Sequence, residues 1–214
     1  MAKEHLKSSY KTTLWLFAVA NVAIFWSAVI VRDVSNLGQI FSSIGARDAT
    51  FAALGPVAIL VLSGIISASN KARVIYWRYT HPLPGCFAFT RYLPGEHRAS
   101  RSVLEEKWGP LPTDPAEQNQ LWYQMYRDVE SEIRIHETHR DSLFSRDLTG
   151  YAVIFLVVFG VAAALSTLPW KTTGFYIGFL IVQYVALMVA ARTYGVRLVC
   201  NVLAQQSAKG GGVG

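Results

Sequence analysis

Charge is the scarcest commodity in this sequence. Only 16% of its 214 residues are Asp, Glu, Lys or Arg, against 52% hydrophobic, whereas an ordinary soluble domain carries about a quarter charged residues. So few charges cannot give the whole chain a water-facing surface, and the deficit points to lipid. Cysteine is nearly absent as well: Cys86 and Cys200 are the only two, which excludes a disulfide framework. Catalytic signatures are missing too. The chain has no glycine-rich phosphate loop, no G-x-S-x-G elbow and no aspartate-rich motif able to hold metal and diphosphate. Its apolar stretches lack the ionisable groups that mark ion-coupled carriers. These absences argue against an enzyme and against a carrier, and no cofactor is expected.

What the chain does have is apolar sequence in four blocks. Residues 14–31, 50–69, 150–168 and 174–191 contain no Asp, Glu, Lys or Arg. Each has about the 17–25 residues that a helix needs to cross a hydrocarbon core of about 30 Å. The first block follows Lys3, Lys7 and Lys11, as a signal peptide would, but its run is long and no small-x-small site follows the run before Arg32 and Asp33. It reads as a signal anchor.

Lys and Arg near the ends of the blocks set the orientation. Lys3, Lys7, Lys11, Lys71, Arg73, Arg78, Arg134, Arg140, Arg146, Arg192, Arg197 and Lys209 fall on one side, and only Arg32, Arg47 and Lys171 on the other. The expected fold class is therefore an all-α integral membrane protein, two transmembrane hairpins with a cytosolic, mostly helical insertion and both termini cytoplasmic. Its parts are an N-tail (1–13), hairpin 1 (14–69, outer loop 32–49), the helical module (70–149), hairpin 2 (150–198) and a flexible tail (199–214). The net charge of +6 suits an anionic inner leaflet. Residues 70–149 carry eleven Lys/Arg against eleven Asp/Glu, so no direct nucleic-acid partner is expected.

Periodicity and caps fill in the segments between the blocks. Leu37, Ile40, Phe41 and Ile44 have the spacing of a short amphipathic helix on the outer surface. Residues 80–112 are punctuated by Pro82, Pro84-Gly85, Pro94-Gly95, Gly109-Pro110 and Pro112, with a capping box at Ser102–Glu105 opening a short helix to about Trp108. Asp114, Pro115 and Glu117 then open a long helix. It is predicted to run to about Leu148 and to bend at Gly150 if it enters the third block. Trp122, Met125, Tyr126, Val129 and Ile133 form its apolar stripe, expected to pack on residues 87–93. Small residues four apart (Gly64/Ala68, Gly160/Ala164, Ala186/Ala190) allow close helix approach, with Asn21 and Gln183 as interhelical hydrogen-bonding groups.

Two polar constellations are candidate sites. Glu132, His136 and His139 share a helix face and make a possible metal set, although this is not the H-E-x-x-H arrangement. His136, Arg140 and Asp147 continue the apolar stripe towards the third block. With Arg73 or Arg78 as partners of Asp147, they form a coupling cluster at the membrane surface. The simpler reading, a helix packed on residues 87–93 with Arg140 and Asp147 paired as interfacial anchors, is preferred to it. Cys86 with His81 or His97 is a nucleophile–base pair on paper only, since a thiol in an apolar stretch is structural by default.

The block from Lys71-Ala72-Arg73-Val74-Ile75-Tyr76-Trp77-Arg78 to Cys86-Phe87-Ala88-Phe89, together with the Trp122–Asp147 helix, resembles segments of small bacterial membrane proteins. Some of those act as effectors in phage-defence loci of the retron type. The resemblance implies a bacterial inner-membrane location and a role in damaging or depolarising the membrane when triggered. The expected function is accordingly a non-enzymatic membrane effector or sensor, bound to the bilayer and to a cytosolic protein partner or further copies of itself. The alternatives are a scaffold or assembly factor that presents the module and, third, a membrane enzyme or oligomeric channel.

Overall fold

Helices form where the apolar runs and the caps place them. A computed structural model describes residues 10–30, 64, 66–166 and 168–211. Among these residues it has six α-helices: α1 Lys11–Ile30, α2 Ala68–Tyr76, α3 Arg101–Trp108, α4 Pro115–Val129, α5 Ile133–Leu165 and α6 Trp170–Gly211. Short 3-10 and π turns occupy Pro84–Phe87, Ala88–Tyr92 and Leu93–Gly95. The chain is all-helical over the described residues. Among the described residues two helices, α5 and α6, are long and apolar enough to cross a membrane, against the four spans expected. The first block coincides with α1; the second lies almost wholly outside the described residues, as do residues 37–44.

The chain divides into two units, Met1–Ser67 with Asp147–Leu187, and Ala68–Arg146 with Met188–Gly214. In the first, α1 buries Leu14, Ala18, Asn21 and Val22, the i, i+4, i+7, i+8 face of a helix. Phe17 lies 5.7 Å from Phe155, and Phe25 stacks on Phe159 at 4.6 Å. Thr149 Oγ1 donates to the Leu187 carbonyl at 3.0 Å. The outward faces stay apolar: Leu16, Ile24, Val157, Val161, Leu165, Phe175 and Val182 are all exposed. Exposed apolar side chains in this number mark a surface that meets lipid or another protein.

The second unit is a helical module with its own core of Ala88, Phe89, Leu93, Leu104, Met125, Tyr126, Val129, Ile135, Leu198, Val199, Val202 and Leu203. Asp114 caps α4 as expected, its carboxylate accepting from Ala116 N at 2.8 Å and Glu117 N at 3.1 Å, and α4 packs on the turn at residues 84–92. Buried Gln118 fastens that packing. Its Oε1 accepts from Phe89 N at 3.0 Å and Thr90 N at 3.2 Å, while Nε2 donates to the Thr113 carbonyl at 2.8 Å.

Four expectations are corrected here. The long helix is two helices, α4 ending at Val129 and α5 starting at Ile133. Glu130 and Glu132 are unfavourable at the negative end of α4 but favourable at the positive end of a new helix. The break shifts the stripe, so Ile133 is 78% exposed and Ile135 takes the buried place at 0%. Through Gly150 α5 continues without a break in the helix. The capping box at Ser102 is not made: Ser100 precedes α3, and Glu105 is engaged by Arg101 at 2.9 Å. Finally, residues 199–211, expected as a flexible tail, are the last turns of α6 and supply Val199, Val202, Leu203 and Gln206, all at 0% exposure.

Gln206 shows why those turns are ordered. Its Nε2 donates to the Met125 carbonyl at 2.7 Å and to Asp128 Oδ2 at 3.0 Å, and its Oε1 accepts from Lys107 Nζ at 2.9 Å. One amide thus joins α3, α4 and α6, and its hydrogen bond, followed by that of Lys107, holds the Asp128 carboxyl below the usual carboxylate range. A buried amide with its donors and acceptors satisfied specifies one register of packing.

Candidate functional site

The helical module contains a cavity of about 150 Å³. Five segments wall it: α2 gives Ile75 and Tyr76, the following turn Leu83, Pro84 and Gly85, and α4 Asn119 and Trp122. Residues His139, Ser142, Leu143 and Arg146 come from α5, with Ala191, Gly195 and Leu198 from α6. Two glycines make this closure possible. A Cβ on Gly85 would stand 2.6 Å from Asn119 Oδ1 and 2.8 Å from the Trp122 ring, and a Cβ on Gly195 would run into the Tyr76 hydroxyl. Neither position accepts a side chain unless its neighbour moves.

The lining is mostly aromatic and aliphatic, with polar groups at a few points, the usual make-up of a small-molecule pocket. Trp122 Nε1 is buried without a hydrogen-bond acceptor among the described residues, and Arg146 is the charged residue of the wall. His139 Nδ1 and the Tyr126 hydroxyl share a hydrogen bond of 2.6 Å, their rings edge to face at 5.0 Å. Burial, then Glu130, pushes the Tyr126 phenol up to about 12, so it stays protonated near neutral pH. Burial likewise raises both thiols, Cys86 and Cys200, the latter to about 11. Thiols held protonated are poor nucleophiles.

The candidates from the sequence take these positions. Glu132 is drawn to Lys209 at 3.1 Å, His139 to Tyr126, and His136 is exposed on α5. The proposed metal set is therefore not assembled, and no group of three His, Cys, Asp or Glu converges among the described residues. Arg140 leans on Asp141 at 3.3 Å. Arg73 donates to Asn70 Oδ1 at 3.0 Å and to the Tyr79 carbonyl at 3.2 Å, and Arg78 lies 4.2 Å over the Phe87 ring. Asp147 belongs to the other unit, where it is buried and accepts from the Tyr10 hydroxyl at 3.4 Å. Asn119, Ser142 and Gly195 carried no sequence signal, because the cavity exists only once five segments meet.

Beside the module's core, Glu96 and Arg98 form an ion pair at 2.8 Å, and Arg98 Nη1 also donates to Asn201 Oδ1 at 3.2 Å. The hydrogen bond from Arg98, opposed by burial, lowers the Glu96 carboxyl to about 2. A carboxylate depressed in the folded state contributes stability that is complete above its unfolded value of about 4.3 and lost as pH falls towards the folded value. The module's melting temperature should therefore fall between about pH 4.3 and 2. Glu96→Gln should flatten that part of the profile and leave the neutral side level; an unchanged acid limb would remove Glu96 from the account.

Compared with known proteins, the chain matches no family model, and no curated protein and no solved structure is found similar to it.

Proposed function

We propose that this chain is a non-enzymatic, multi-pass effector of the bacterial inner membrane, with both termini cytoplasmic, which perturbs the bilayer when its helical module is triggered. Helix continuity carries the reading. Leu143 and Arg146 on α5 and Ala191 and Gly195 on α6 line the cavity, and each helix runs without interruption from those residues into an apolar block. An unbroken helix can carry a shift from one end towards the other through its hydrogen-bonded backbone. Occupancy of the cavity by a ligand that prefers one helix position would bias the spans accordingly. The apolar exteriors of α1, α5 and α6 in the first unit support the bilayer as their solvent. The resemblance of residues 71–89 to retron-type effectors makes phage infection the first trigger to test.

Topology and activity are tested separately. A reporter after Gly214 or near Gly95 should read cytoplasmic, and one near Gly38 external; an external signal near Gly95 would overturn the orientation. Cells expressing the chain should lose membrane potential on phage challenge, as followed with a voltage-sensitive dye. An inserted chain that leaves the potential intact under challenge would end the effector reading and favour a scaffold.

A further inference from the structure

One surface of the helical module is built from cations and aromatic rings. Between Asp48 and Glu96 the sequence has no acidic residue, and after Asp147 it has none again, whereas Arg73, Arg78 and Arg192 fall in these stretches; Lys71, in the same run, is buried. Just after α2, Trp77 is 68% and Tyr79 85% exposed. An indole left open to this degree is unusual on a water-facing surface, and Trp beside Tyr with Arg is the composition of a bilayer interface.

The exposure is held in place rather than incidental. Trp77 and His81 sit at φ 52° and 49°, a left-handed backbone that costs a non-glycine residue free energy and persists only where neighbours impose it. Two arginines hold the backbone on either side of Trp77. Arg192 Nε donates to the Ile75 carbonyl at 2.5 Å, closing the end of α2, and its guanidinium lies 5.0 Å over the Trp77 ring. Arg73 Nε donates to the Tyr79 carbonyl at 3.2 Å, with its guanidinium 5.2 Å over the Tyr79 ring. A guanidinium has five N–H groups in a fork that matches a phosphodiester, so an arginine that braces a turn through one or two of them retains others for an anion.

Depth follows from chain connectivity. Arg192 is the residue immediately after the apolar block 174–191, and the Trp77 ring is stacked against it. If that block spans the bilayer, both stand at headgroup level. We infer that Arg73, Trp77, Tyr79 and Arg192 form a binding patch for the phosphate headgroups of anionic lipids. The aromatic rings enter the interface and the two guanidinium groups take the phosphodiester. This inference rests on the spanning reading of the block but not on the effector activity proposed above.

The test uses the full chain in phosphatidylcholine vesicles with and without phosphatidylglycerol. Subtracting the emission of Trp77→Phe from that of the parent isolates the Trp77 signal. That signal should be quenched by lipids brominated near the glycerol and shielded from aqueous iodide. Phosphatidylglycerol should bind preferentially, and the preference should fall about fivefold for each of Arg73→Gln and Arg192→Gln, the fold-change equivalent to about 1 kcal/mol per basic residue near an anionic surface. Quenching of the Trp77 signal by iodide alone, or equal binding of the two vesicle types, would overturn the patch. So would inorganic phosphate reproducing the lipid effect, or an acidic protein recovered on the surface in place of lipid. Alkaline carbonate extraction separates the two failures: release of the chain from the membrane would defeat the spanning reading, whereas retention with an iodide-accessible Trp77 would defeat the patch alone.

Discussion

A chain truncated after Leu198 is expected to lose its folded module. The deleted residues include Val199, Val202 and Leu203, each fully buried in the module's core, and Gln206, the amide that joins α3, α4 and α6. Full burial of a branched aliphatic side chain contributes about 1.5–3 kcal/mol. Losing three of them, with the Gln206 hydrogen bonds, approaches the about 5–15 kcal/mol that separates a folded domain from its unfolded ensemble. Limited trypsin digestion reads the outcome. Cleavage at Arg101 and Lys107, slow in the parent, should become rapid in the truncated chain. Equal resistance would mean that the end of α6 is dispensable after all.

The second large effect is expected from Phe89→Ala, which should destabilise the module by about 3–5 kcal/mol, the usual cost of emptying a buried aromatic site. Phe89 is fully buried, and its backbone N–H is held by Gln118. The turn around it therefore cannot easily collapse into the space left behind. Ile133→Ala is the natural control. At 78% exposure it should change stability by no more than about 0.5 kcal/mol, although the periodic stripe assigns it to the core. Thermal unfolding in detergent micelles, followed by near-UV circular dichroism, measures both. A large loss at Ile133 would show that α4 and α5 form one helix in solution.

Other residues were legible to different degrees, and the reasons are physical. The Asp114 cap and the burial of Met125, Tyr126 and Val129 are local consequences of spacing within one helix, and they stand as read. Ile133 and Ser102 were misplaced because a helix boundary is a contest between nearly equal local choices. Three polar residues, Glu130 to Glu132, were enough to shift the phase, and Arg101 took the glutamate that a cap at Ser102 required. The coupling cluster of His136, Arg140 and Asp147 shows the same limit. Helical spacing puts them on one line, but Arg140 found Asp141 and Asp147 received the Tyr10 hydroxyl, partners that a wheel diagram does not rank.

By itself the sequence determined what short-range chemistry decides: helices throughout the described residues, apolar blocks that include the two helices long enough to cross a membrane, the cap of α4, and thiols too few for a disulfide framework. It did not decide that two such helices, rather than four, are found among the described residues. Only tertiary structure decided that residues 199–211 are core rather than tail, since a polar, small-residue run such as Ala204–Ala208 looks dispensable until Gln206 meets the Met125 carbonyl and Lys107. The same holds for the cavity and the Arg–aromatic surface. Gly85 matters because Trp122 lies over it, Gly195 because of the Tyr76 hydroxyl, and Trp77 because Arg192, 115 residues later in the sequence, arrives at its ring. Contacts of this range depend on where whole helices end, and no local pattern records that.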